Sequence, residues 1–104
     1  MSFTITHRGG EMEEGDLSAI PALVAELYGP VDHEHPDIAV SDDESGWMLS
    51  AFQSGRLVWE NPDSDDEPRY MVDVSRSEIS RIMSLVATGD LDDVDSLEWL
   101  PGYQ

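Results

Sequence analysis

The chain has no cysteine and no lysine. Without thiols there is no disulfide staple, no thiolate nucleophile and no thiolate metal site, and that absence fits a reducing compartment. Long hydrophobic runs are missing too, and nothing approaches the ~20 apolar residues a membrane helix requires. The segment from Met1 to Gly10 has no apolar core and leads into Glu11, Glu13, Glu14 and Asp16, the opposite of a signal peptide. A cytoplasmic protein without membrane contact is the expectation. Cations are scarce as well. Five arginines face 23 aspartates and glutamates, a formal charge of −18.

What such a charge excludes is clearer than what it selects. A strongly negative field repels nucleic acid and anionic lipid, and it attracts basic protein surfaces. Two readings of the acid stay open: it keeps the chain soluble or suits high salt, or it forms a functional face. Arginine without lysine is also what a GC-rich genome produces.

With 104 residues the chain fits one domain, 1–104, with a modest core. Phe3 and Ile5 alternate in a short strand, Ser2–Thr6, and the acidic stretch Glu11–Asp16 reads as a loop. Leu17, Ile20, Leu23, Val24 and Leu27 recur at helical spacing, predicting a helix over Asp16–Gly29. Asp16 or Ser18 is its N-cap; Pro21 belongs in a first turn and favours Ser18. Gly29-Pro30 stops it. Ile38 and Val40 mark a strand, and Asp42-Asp43-Glu44-Ser45-Gly46 turns the chain.

Trp47 to Phe52 alternates, with Trp47, Leu49 and Ala51 on one face. Gln53-Ser54-Gly55 is a tight connection into Arg56–Glu60, so this is the clearest hairpin. The proline-bounded loop Asn61–Pro68 follows, then a strand over Tyr70–Val74. Ser75-Arg76-Ser77-Glu78 is a capping box that opens a helix ending at Gly89, with Ile79, Ile82, Met83 and Val86 on its apolar face. Leu91, Val94, Leu97 and Leu100 suggest a last short helical segment before Pro101-Gly102. The predicted order is β-α-β-β-β-β-α plus that segment. The class is α+β: a mostly antiparallel sheet of four to five strands with two main helices on one face.

Few groups promise chemistry. In Asp32-His33-Glu34-His35 two imidazoles stand two residues apart, but a metal site needs three or four ligands, and Pro36 makes the segment a loop. Asp63-Ser64-Asp65-Asp66-Glu67 lacks the glycine and terminal glutamate of a calcium loop. There is no nucleophile elbow, phosphate loop or dinucleotide fingerprint. Carboxylate pairs are uninformative where acid is this abundant. Neither a metal, a cofactor nor an enzyme activity is expected. Trp47 and Trp59 read as core or half-buried sheet residues, and Trp99 or Tyr103 as the group that pins the C-terminal segment to the core.

Two stretches carry a resemblance. One is Ser45-Gly46-Trp47 through Gly55-Arg56-Leu57-Val58-Trp59-Glu60. The other is Val74-Ser75 through Leu85-Val86-Ala87-Thr88-Gly89-Asp90 and on to Leu97-Glu98-Trp99-Leu100-Pro101. Together they resemble the small acidic immunity proteins encoded beside polymorphic toxins in actinobacteria, although the final segment here is longer and more acidic. The resemblance implies an inhibitor that neutralises a cognate toxin by tight binding and carries no catalytic residues. Physics runs the same way, because clustered carboxylates can occupy a basic cleft with a fast, steered association. The candidate partner-binding residues form three clusters: Asp42, Asp43 and Glu44; Asp63, Asp65, Asp66 and Glu67; and Asp90, Asp92, Asp93 and Asp95. The alternative is an acidic regulatory or adaptor module that binds a basic cellular protein.

Overall fold

A computed structural model describes residues 2–28, 34 and 37–102. The strands are β1 (Phe3–Thr6), β2 (Met12–Glu14), β3 (Asp37–Asp42), β4 (Met48–Phe52), β5 (Leu57–Glu60), β6 (Arg69–Met71) and β7 (Leu100–Pro101). The helices are α1 (Ile20–Ala25), preceded by a 3-10 turn at Leu17–Ala19, then α2 (Arg76–Ala87) and α3 (Leu91–Asp95). The seven strands form one sheet in the order β2-β1-β3-β4-β5-β6-β7, with every neighbouring pair antiparallel.

The class is α+β as expected, and the clear hairpin is present. Phe52 N–H donates to Arg56 C=O at 2.9 Å, and Gly55 N–H closes the turn on Phe52 C=O at 3.0 Å. Among the described residues the strand count needs correction, from four or five to seven. Glu11–Asp16 is not wholly loop: Met12–Glu14 pairs with β1 as an edge strand. Its three residues are all exposed, so no alternation marks it. The turn that makes it, with Gly10 N–H on His7 C=O at 2.9 Å, sits on the Gly9-Gly10 pair. β7 has only two residues and pairs with β6. The strand expected over Tyr70–Val74 stops at Met71, because Asp73 takes a positive φ of 56° and Val74 N–H turns to Gly55 C=O.

Register divides the sheet into two faces. Ile5, Val40, Leu49 and Trp59 lie across from one another, as do Ile38, Ala51 and Leu57. These residues form the core with Ile20, Leu23, Val24 and Leu27 from the α1 region, Ile79, Ile82, Met83 and Val86 from α2, and Val94 from α3. All three helices therefore cover the same face. Ala39 and Val58, on the other face, are buried but do not belong to that core.

The helix ends follow local chemistry. Asp16, not Ser18, caps the first turn, where its carboxylate accepts from Ser18 N–H at 3.0 Å and Ser18 Oγ at 2.9 Å. Those bonds hold the Asp16 carboxyl below its ordinary range. Pro21 then falls in the first turn of α1, where a missing N–H costs nothing. The expected stop at Gly29-Pro30 lies outside the described residues. Ser75 Oγ accepts from Glu78 N–H at 3.2 Å and caps α2 as read, while the Glu78 carboxylate engages Arg81. At the other end Asp90 N–H reaches Leu85 C=O at 2.9 Å and Gly89 N–H reaches Val86 C=O at 3.1 Å, with Gly89 at φ 79°. This pair of hydrogen bonds is a Schellman ending.

A polar clasp joins the β1–β2 turn to α1. His7 Nδ1 stands 2.5 Å from Glu26 Oε2 and Nε2 stands 3.4 Å from Glu13 Oε1. Arg8 donates from its backbone N–H to Glu26 Oε1 and from Nη1 to Glu26 C=O. The hydrogen bond to Glu26 raises the His7 pKa above 6.5, opposed by partial burial and helped by the charges of Glu26 and Glu13.

Two measurements test this architecture. Ile82 is 1% exposed, so Ile82→Ala should cost about 2–5 kcal/mol in urea denaturation, and melting like the wild type would place that helix face in solvent. The folded state holds the His7 proton more tightly than the unfolded chain does. The clasp's contribution is therefore complete below about pH 6.5 and is lost as pH rises through the raised folded value. The stability gap between wild type and His7→Gln should accordingly be widest in mild acid and close toward alkaline pH. A gap constant with pH would remove the charge from the clasp.

A candidate acidic interface around a tryptophan stack

The site begins at the end of the sheet where β3 turns into β4 and β5 leaves for β6. Asp42 closes the first turn from inside. It is 6% exposed, and its carboxylate accepts from Ser45 N–H at 3.1 Å and Ser45 Oγ at 2.6 Å. Gly46 follows at φ 84°, and a side chain there would come within 2.8 Å of the Asp63 carboxylate. The two acidic loops therefore touch. Asn61 ties them together: it is buried, its Nδ2 donates to Ser45 C=O at 3.0 Å, and its Oδ1 accepts from Asp63 N–H at 3.0 Å. Ser64 and Asp66 bond to each other in both senses, Ser64 Oγ to Asp66 Oδ2 and Asp66 N–H to Ser64 Oγ.

Of the third cluster only Asp95 joins, through the aromatics, while Asp90, Asp92 and Asp93 border a separate open cleft. Trp59, fully buried, stacks on Trp47 at 4.9 Å between ring centroids and on Trp99 at 6.3 Å, with interplanar angles of 18° and 17°. Its indole N–H donates to Asp95 Oδ1 at 2.8 Å, and Arg69 Nη2 bonds to the same oxygen at 3.0 Å. Arg69 also lies over the Trp47 ring, 5.5 Å from its centroid. Trp99 N–H donates to Val94 C=O at 2.7 Å, so Trp99 pins the C-terminal segment; Tyr103 lies outside the described residues. An open cleft of about 390 Å³ lies beside Arg69 and Trp99, bounded by Asp66, Glu67 and Pro101.

The candidate residues thus divide by occupation. Asp42 and Asp95 are consumed by the turn and by Trp59. Asp43, Asp66 and Asp90 each accept from one neighbouring hydroxyl, of Thr4, Ser64 and Thr88 respectively. Glu44, Asp63, Asp65, Glu67, Asp92 and Asp93 are exposed. Asn61, Arg69 and Ser45 were not singled out from sequence. Asn61 had a signal, since Asn-Pro-Asp favours a side-chain-capped turn, whereas Arg69 meets Asp95 only through tertiary contact.

The positive side of the ledger is internal. Arg8 bonds to Glu26 C=O, Arg56 lies 4.4 Å from the Phe52 ring centroid, and Arg69 pairs with Asp95. Arg76 donates to Gln53 C=O at 2.8 Å, and Arg81 pairs with Glu78. Each of the five arginines is engaged by the chain itself, and at this end Arg69 is paired with Asp95. Among the described residues no group of three or more His, Cys, Asp or Glu is placed to hold a metal ion, and no helix is long and apolar enough to cross a membrane. Asp32, His33 and His35 lie outside the described residues.

No family model, no curated protein and no solved structure matches this chain.

Removing Asp95 tests the junction. Asp95→Ala leaves the buried Trp59 N–H without an acceptor and should cost about 1–3 kcal/mol, while Asp95→Asn keeps an oxygen there and should retain most of that stability. Equal urea midpoints for the two variants would take the hydrogen bond out of the account.

Proposed function

We propose that this chain is an antagonist of the immunity type, which binds and neutralises a cognate toxin or another basic protein, including one that acts on nucleic acid. The observation that supports this reading best is the gathering of acidic loops at one end of the sheet, with every arginine engaged inside the chain. An enzyme surface for phosphates is basic, and a rigid array of carboxylates can fill it. It acts by occupancy, so turnover, metal and cofactor have no part in it. The loop anchors suit that role: Asn61, Ser45 and the two prolines restrict the loops before binding, and less entropy is then lost on association.

The direct test is coexpression with the protein encoded beside this gene. Rescue of growth from a toxic neighbour, with a complex recovered on a sizing column, is the expected outcome. A non-toxic neighbour and capture by an unrelated basic cellular protein would favour the adaptor reading. Kinetics then test the acid itself. Replacing Asp63, Asp65 and Asp66 with Asn and Glu67 with Gln should slow association with the basic partner and flatten its dependence on salt, while leaving the fold intact. Rates and salt slopes identical to wild type would exclude this loop from the interface.

A further inference from the structure

No described helix packs on the sheet face opposite the core, although Ala39, Ser50 and Val58 in its middle are buried. Register lines up Met12, Thr6, Ala39, Ser50, Val58, Tyr70 and Leu100 in one row across all seven strands. Ala39 and Ser50 at its centre are small and recessed, with Met48 and Phe52 on either side of Ser50 along β4. Toward the β7 edge the face becomes apolar and exposed: Leu100 is 47% exposed and Val72, just past β6, is 53% exposed. A second open cleft, of about 420 Å³, lies there against Met71, Val72, Leu100 and Glu98. Both clefts share Trp99, so the apolar patch and the acidic loop ending at Glu67 are contiguous.

Carboxylates on loops accelerate encounter but supply little lasting affinity, because exposed charges remain solvated. A stable complex needs a desolvated apolar centre inside a polar rim. The strip formed by half-buried Tyr70 and exposed Val72 and Leu100 has that composition, and Glu67 and Glu98 lie beside it. A second copy of this chain is a poor occupant, since each copy carries a formal charge of −18. We propose that the open face near β6 and β7 is the docking surface for a cationic protein that presents an apolar strip flanked by lysine or arginine. This rests on the reading of the chain as a binder of basic partners and assigns where that partner's apolar part sits.

The test uses two synthetic peptides of equal charge, one alternating lysine with leucine and one of lysine spaced by serine, titrated into the isotopically labelled full chain at low salt. The leucine peptide should bind at least about tenfold more tightly and shift the amides of Tyr70, Val72 and Leu100. The double variant Val72→Ser, Leu100→Ser should reduce its affinity to that of the serine peptide; both positions are exposed, and an unchanged amide spectrum elsewhere confirms the fold. Equal binding of the two peptides, with shifts confined to Glu44 and Asp63–Glu67, would overturn the docking face and leave acid-mediated recognition standing. Binding by neither peptide would overturn both. Self-association of the wild-type chain through Val72 and Leu100 in sedimentation would assign the face to a second copy and overturn the cationic occupant.

Discussion

The indole N–H of Trp59 is buried, and a buried donor without an acceptor is costly, so the chain must bring an oxygen to it. That oxygen comes from Asp95, 36 residues further along. Meeting this requirement fixes the place of α3, and α3 fixes Trp99 through its bond to Val94 C=O. Trp99 completes the stack on Trp59, and the chain then runs on as β7 against β6. The sheet end, the last helix and the final strand are therefore one cooperative unit built around a single aromatic ring. Arg69 adds to it from the side, shared between Asp95 and Trp47.

The same junction explains how so much negative charge can be tolerated. Carboxylates that would repel one another are separated by function. Asp42, Asp95 and Glu26 are bound to hydrogen-bond donors of the chain, and exposed acids such as Glu44, Asp63, Asp65, Glu67, Asp92 and Asp93 are screened by water. Arg8, Arg56, Arg69 and Arg76 are half-buried and tie segments together, while Arg81 pairs with Glu78 on the surface. What remains outside is a predominantly negative surface over a well-packed core.

Much of this was legible from residues alone, for identifiable reasons. The β4–β5 hairpin and α2 have strong local signals, namely alternation around Gln53-Ser54-Gly55 and a capped amphipathic run, and both form as read. The helices share one face because the apolar spacing of α1 and α2 leaves each a single stripe to bury. β2 escaped because Met12, Glu13 and Glu14 are all exposed and show no period, and β7 because two residues have none to show. Each acidic cluster could be picked out by composition. Their meeting could not, since Asn61 reaching Ser45, and Asp95 reaching Trp59, depend on contacts between distant segments. Local sequence also does not tell which carboxylates a fold will spend on itself.

The two outer strands have a consequence of their own. An unpaired strand offers free N–H and C=O groups to any extended chain that drifts past, the usual beginning of sheet-to-sheet polymerisation. Here one border is Met12–Glu14, three residues with two glutamates, and the other is Leu100–Pro101, where the proline has no N–H to offer. Both borders are too short, and one is too charged, to template another strand. Fibril growth from either border is thereby disfavoured even though Val72 and Leu100 stand exposed beside one of them.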